Sequence, residues 1–346
     1  MDKKYRLATW VREVDRAYVH RRTFLKGVAF TVAASAYGQA TDVQGDDQRE
    51  LPSFLIVDTH QHLWDLGWQK LPWLENAPAV LRKNYLPVDY QQAVEGCNVQ
   101  AIYMEVDVAE EQLQREAEHV VQLIRNHVGL TRAAVVGARP AAAMFGEYLA
   151  RIRRMPEVKG VRQVLHVAST PPGFCLSKEF QRGIRKLGEA GLSFELCMRP
   201  GELEDAVRLV SECSETQFVL DHCGNADPMA FSKKPARQPE HDADAWRRAI
   251  ERLAARANVI CKISGIVARV GAEWGPDDLA PIVLHCWDCF GPDRVVFGGD
   301  WPVCLLGAPL RSWIAALHAI TRSRPEEHQR KLWSENARRF YRLSGG

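Results

Sequence analysis

From position 54 onward, short apolar runs alternate with longer stretches whose apolar residues recur every three or four positions. The runs fall at 54–59, 101–106, 131–138, 160–166, 192–198, 217–220, 259–264 and 294–299. Several are near-continuous in Val, Ile, Leu and Phe, the pattern of parallel strands covered on both faces. Between them, 110–126 carries Leu113, Ala117, Val120, Val121 and Ile124 at helical spacing. The stretch 180–190 places Ile184 and Leu187 alike and ends at Gly191, a residue suited to a helix C-terminus. Segments 243–257 and 309–321 repeat the pattern. Alternating strands and helices predict an α/β protein built as a single (β/α)₈ barrel of the TIM type.

Two connections break the rhythm. Positions 63–87 hold Trp64, Trp68 and Trp73 among prolines, and 225–242 holds Lys233, Lys234 and Arg237. Both follow the C-terminal end of a strand, where a barrel builds its active site, and are expected to be lid or specificity loops.

The first 53 residues do not fit the barrel. His20 to Lys26 reads His-Arg-Arg-Thr-Phe-Leu-Lys, which resembles a twin-arginine export signal. A short apolar stretch and then small residues follow, with Ala34-Ser-Ala36 and Gly38-Gln-Ala40 as cleavage candidates. The expected organisation is a signal segment at 1–40, a polar linker at 41–53 and the barrel at 54–346. That order implies a periplasmic enzyme handed to the twin-arginine machinery, or a cytoplasmic one if the start is misassigned. No stretch has the roughly 20 apolar residues of a membrane span, so no stable membrane insertion is expected.

Composition narrows the partners. The chain carries 45 Lys and Arg against 43 Asp and Glu, a net charge of +2, with the signs interspersed. That balance gives no footprint for a nucleic acid. The expected partner is a small molecule, with a homo-oligomer left open. Nine cysteines at irregular spacing, several inside apolar runs, read as reduced interior thiols. Cys286-Trp-Asp-Cys289 lacks a second pair at zinc-ribbon spacing.

The chemistry gathers where runs end. Val57-Asp-Thr-His60-Gln-His62 closes the first run, and residues i and i+2 of a strand share a face. Both imidazoles can then reach one metal ion or one water. Leu220-Asp-His222-Cys-Gly224 closes the sixth, and Phe297-Gly-Gly-Asp300-Trp-Pro302 the eighth. A carboxylate at Asp300 can act as a base on water or bind a metal. In a closed barrel the first and eighth strands are neighbours, so these residues converge.

His60-x-His62, the Leu220–Gly224 segment, Lys262-Ile-Ser-Gly265, Phe297-Gly-Gly-Asp300-Trp-Pro302 and the tail Asn336-Ala-Arg-Arg-Phe-Tyr-Arg-Leu343 together resemble the amidohydrolase superfamily. More narrowly they resemble its lactonase-like branch, over about 54–343. The resemblance implies hydrolysis of a sugar or dicarboxylate lactone. Asp300 would deprotonate the attacking water and pass the proton to the leaving oxygen. His60, His62 and His222 would polarise the carbonyl, directly or through one divalent ion. His60, His62 and Asp300, with or without His222, would suit zinc, and a metal-independent site is the alternative. The fourth run has Arg162 and Gln163 where binuclear members place a bridging lysine, and the fifth ends without a histidine, so two metals are not expected.

Arg162, Arg199 and His166 near the ends of the fourth and fifth runs, and Glu105 and Asp107 near the second, are candidate substrate contacts. Trp64 and Trp301 flank the mouth and could stack on a sugar. A nonoxidative decarboxylase using the same positions, and a noncatalytic solute-binding barrel, are the rival readings. No Gly-x-Ser-x-Gly elbow, P-loop or Gly-x-Gly-x-x-Gly after a strand is present.

Overall fold

Strands β1 Ile56–Gln61, β2 Val99–Met104, β3 Thr131–Gly137, β4 Val158–Val164, β5 Ser193–Cys197, β6 Phe218–Leu220, β7 Val259–Ile263 and β8 Val295–Phe297 follow one another in a parallel sheet in chain order. These coordinates come from a computed structural model, which describes residues 50–271 and 273–343. The export-type segment at 1–40 and most of the linker at 41–53 lie outside the described residues. Among the described residues no helix is long and apolar enough to cross a membrane.

The sheet curls until its edges meet. Gln61 bridges Trp301 in parallel register, and Thr59 Oγ1 donates to the Phe297 carbonyl at 2.6 Å. Buried Asp58 accepts from the Gly299 N–H at 2.7 Å and from Tyr90 Oη at 2.7 Å. One carboxylate thus fastens the first strand to the segment after the last, and β1 and β8 lie side by side. The architecture is a (β/α)₈ barrel.

Helices α1 Pro87–Ala93, α2 Leu113–Arg125, α3 Phe145–Ile152, α4 Lys178–Glu189, α5 Leu203–Glu212, α6 Ala243–Ala254, α7 Pro276–Phe290 and α8 Leu310–Thr321 occupy the connections. Local chemistry sets several ends. Asp242 caps α6 by accepting from the Ala245 N–H at 2.8 Å, and Gly191 after α4 takes φ 71°. The apolar stripes of these helices pack on outward strand residues such as Phe194, Phe218 and Phe297. Two short helices follow, α9 Glu326–Arg330 and α10 Asn336–Phe340. Inward residues Val57, Ile102, Val135, Val219, Ile260 and Val296 form a separate apolar layer with Ala337 and Tyr341. Asn336 of α10 donates to the carbonyls of Pro292 and Val295, which seats that helix under the strand starts.

The boundaries depart from the apolar runs where strands carry polar residues. β1 reaches Gln61, not residue 59, because Asp58, Thr59, His60 and Gln61 are all buried with partners inside the protein. β4 ends at Val164, so His166 stands on the loop beyond it. Helix 110–126 begins with one tighter turn, Glu110–Gln112, before α2.

Candidate active site

A cavity of about 570 Å³ opens at the C-terminal ends of the strands, and His62, His222 and Asp300 line it. β1 and its extension point both imidazoles inward: the His60 and His62 ring centroids are 4.9 Å apart, and His60 and His222 are 4.5 Å apart. Asp300 Oδ1 lies 3.6 Å from His60 Nε2 and 3.5 Å from His62 Nε2. All four residues are buried. The positions that end strands in chemistry therefore meet.

The backbone that delivers them is left-handed. His222, Cys223, Gly224 and Asn225 have φ of 54°, 53°, 70° and 55°, and Asp300 has φ 54°. Each non-glycine residue held there costs on the order of 1 kcal/mol, a strain that folded structures concentrate at functional sites. A further constraint is Gly265, at φ 70°, where a Cβ would stand 2.3 Å from His222 Nδ1.

Hydrogen bonds orient the rings. His62 Nδ1 lies 3.0 Å from the Met104 carbonyl, which can only accept, so Nδ1 carries the proton and Nε2 presents a lone pair toward Asp300. Donors face both nitrogens of His60, with Arg162 Nη1 3.1 Å from Nε2 and Lys262 Nζ 3.3 Å from Nδ1. His222 Nδ1 pairs with Ser264 Oγ at 2.9 Å. Burial, reinforced by the Lys262 ammonium, holds the His60 imidazole well below its usual range, and burial lowers His222. Both rings are neutral near pH 7.

The substrate-contact candidates divide. Arg162, His166, Asp107 and Trp64 line the cavity. Arg162 is also committed to Glu105, with Nε 2.6 Å from Oε1, and His166 Nδ1 meets Cys197 Sγ at 3.3 Å. Glu105, Arg199 and Trp301 are not on the cavity wall. Glu105 is fully buried behind Arg162, and its other oxygen accepts from the Asp107 N–H. Arg199 donates to the carbonyls of Val167 and Thr170 and to Glu202, tying down a loop. Trp301 is buried against Tyr85 and Tyr90. Both long connections do reach the cavity, the first through Trp64 and Trp73 and the second through Asn225, Arg237 and Glu240. Cys286 of the CxxC sits with Cys223 and Cys261 in a buried group on another face of β7.

Three residues beneath the site carry no expectation from the motifs. Lys262 is buried, with Nζ 2.8 Å from Glu195 Oε2 and 3.0 Å from Asp221 Oδ1. Burial alone would raise the Asp221 carboxyl, but Lys262 and His60 hold it well below its usual range. Burial pushes Glu195 up to about 8. The signal was present: in Val-Ile-Cys-Lys-Ile a charge shares a strand face with Ile260, so it must point into the barrel.

Of the three buried sets among the described residues that could hold a cation, two lie at this site, His60, His62 and Asp300, or His60, Asp221 and His222; the third is Cys223, Cys261 and Cys286. The second is disfavoured, because the Lys262 ammonium already sits against the same Asp221 oxygen. The first fits. Bonds of about 2.0–2.1 Å at tetrahedral angles give ligand separations of about 3.4 Å, close to the 3.5 and 3.6 Å found here. The Arg162 guanidinium beside His60 opposes a second cation on the strand-four side.

Similarity to known proteins agrees with this geometry. The family described as Amidohydrolase matches residues 57–343. An L-fucono-1,5-lactonase of Burkholderia multivorans is 29% identical over 298 residues, covering 84% of this chain and 96% of that protein. A crystal structure of a Burkholderia multivorans amidohydrolase with bound zinc superposes with a TM-score of 0.73 at 25% identity, covering 84% of this chain and 100% of that one. A 5-carboxyvanillate decarboxylase of Sphingomonas paucimobilis shares the fold alone, at 14% identity and a TM-score of 0.57, over 84% of this chain and 100% of that one. Barrel, converging site and a match running from β1 past α10 lead to one conclusion: the chain belongs to the amidohydrolase family.

Proposed function

We propose that this protein hydrolyses the ester bond of a neutral sugar lactone. The observation that carries the reading is the placement of Asp300 Oδ1 against the Nε2 atoms of both His60 and His62 in a cavity of sugar size. Similarity to an L-fucono-1,5-lactonase supports the bond type.

Asp300 takes the proton of the attacking water and returns it to the ring oxygen as the lactone opens. His222, oriented by the Ser264 hydroxyl at Nδ1, turns its Nε2 to where it can hydrogen-bond the substrate. His60 and His62 bring their Nε2 atoms to the same carboxylate oxygen of Asp300. His60, His62 and Asp300 would hold one divalent ion, and zinc is our assignment from the N₂O donor set and the zinc-bound relative. Bound there, zinc supplies Lewis acidity and a more acidic water.

Charge pairing favours a neutral lactone over a dicarboxylate. Each arginine lining the cavity already has a carboxylate: Arg162 has Glu105, Arg237 has Asp227 at 2.7 Å, and Arg269 has Glu240. No lining guanidinium among the described residues is left for a substrate carboxylate. The test is turnover on neutral aldonolactones, dicarboxylate lactones and aromatic carboxylates, following proton and carbon dioxide release. Proton release from neutral lactones supports the reading. Carbon dioxide release without ring opening, or binding without turnover, rejects it.

We also propose export by the twin-arginine route, on the strength of Arg21-Arg22 ahead of a short apolar stretch.

A further inference from the structure

A second cavity, of about 430 Å³, opens at the other end of the barrel, beside the starts of β4, β5 and β7 and against α10. Four cationic side chains line it: Lys159 on β4, Arg294 just before β8, Arg339 on α10 and Arg342 just beyond it. None of the four has a carboxylate within 4 Å among the described residues. Their partners are neutral oxygens. Arg294 donates to the carbonyls of Arg256 and Ala254, each at 2.8 Å. Arg339 Nη2 donates to the Asp293 carbonyl at 2.6 Å, Arg342 Nη2 to the Gly191 carbonyl at 2.7 Å and Lys159 Nζ to the Arg342 carbonyl at 3.4 Å.

These bonds fix positions without cancelling charge. The catalytic cavity is built the other way, with a carboxylate against each of its lining arginines. Two carboxylates do share the basal wall with the four cations, but Asp293 is answered by Lys331 at 3.1 Å and Glu215 is exposed. The wall therefore keeps a surplus of positive charge. Holding it together is costly. Burial lowers the Lys159 ammonium and the nearby Arg342 guanidinium lowers it further, while burial lowers Arg294. Arg342 takes its place from left-handed backbone, φ 49°, a strain that folded chains tolerate mostly at functional positions.

We propose that this basal cavity binds a small organic dianion through its phosphate or carboxylate oxygens. Four cations facing two carboxylates leave a charge that a dianion neutralises. The donors are in place. Lys159 has N–H groups to spare, and Arg339 and Arg342 each keep Nε and Nη1 donors that no oxygen of the described residues receives. A guanidinium fork matches an oxyanion in shape as well as charge. Leu192 and Phe340 give the wall an apolar side for the body of the ligand. An anion between Lys159 and Arg342 would also turn their mutual repulsion into attraction.

The site is independent of the lactone reaction, and its test needs no turnover. The full chain is titrated by calorimetry with glycerol 3-phosphate and with succinate, at an ionic strength held constant with sodium chloride. At least one dianion should bind once per chain with a Kd below about 1 mM and raise Tm. The tighter of the two tells phosphate from carboxylate. Lys159→Gln and Arg342→Gln should each weaken binding about tenfold or more, the usual effect of losing a hydrogen bond to a charged group. Without dianion, Lys159→Gln should melt no lower than the parent, because it relieves repulsion; a purely structural lysine would lower Tm. His62→Asn should bind the dianion as the parent does, which separates this cavity from the catalytic one. The proposal is overturned by a Kd above about 1 mM for both probes, by affinity within about threefold of the parent in both basal variants, or by loss of binding in His62→Asn.

Discussion

Asp300 Oδ1 and His62 Nε2 stand 3.5 Å apart, the separation of two ligands sharing one small ion. His62 is locked in the right tautomer by the Met104 carbonyl. Purified protein should therefore carry close to one equivalent of zinc by elemental analysis. His62→Asn should weaken zinc binding more than about a hundredfold, since losing a ligand costs at least as much as losing a group that orients one. Stoichiometric zinc retained in that variant would remove His62 from the ligand set.

Gly265 tests how tightly His222 is held. A methyl group at this position meets the imidazole at 2.3 Å, on backbone with φ 70°. Gly265→Ala should lower Tm and cut kcat more than about tenfold, as displacement of an oriented group does. The control is Gly173→Ala, which also has positive φ but no atom within 4 Å. It should lose some stability and keep its turnover.

The buried histidines set the acid limb of stability. Burial holds His60 and His222 below their usual range, and burial likewise puts His119 and His166 at about 4. An unfolded imidazole binds a proton near 6.5, so below that pH the unfolded chain takes up protons that the folded one refuses, and stability falls. Glu116 and Glu195 act in reverse. Burial raises both to about 8, so the folded state keeps protons that the unfolded chain releases above about 4.5, and stability falls with rising pH up to about 8. Tm should peak near pH 6.5 and decline toward both 4.5 and 8.5. A Tm still rising at pH 8.5 would contradict this assignment.

Export is separately testable. Replacing Arg21 and Arg22 with lysines should retain the enzyme in the cytoplasmic fraction, while the parent appears in the periplasm. Equal distribution of the two proteins would reject the route.

The sequence exposes the barrel because covered parallel strands are apolar on both faces, and it exposes His60, His62, His222 and Asp300 because each ends such a run. Lys262, Glu195 and Asp221 were harder to read. A charge inside a strand ordinarily signals an edge, and only strand alternation shows that these point to the axis. Glu105 and Arg199 show the opposite failure. Standing at strand ends, they resemble substrate contacts, yet Glu105 braces Arg162 and Arg199 staples a loop. Which partner a long side chain chooses depends on residues far away in the chain. The left-handed turn at His222 is foreshadowed only by Gly224, since its other members are not glycine.

The central claim is that this site opens a lactone with Asp300 as the proton carrier. The direct measurement is proton release from a neutral aldonolactone by the parent and by Asp300→Asn at matched zinc content. The parent should release one proton per ring opened, and the variant should stay folded with kcat lower by about a thousandfold or more. A parent no faster than buffer, or a variant within about tenfold of it, would contradict the account.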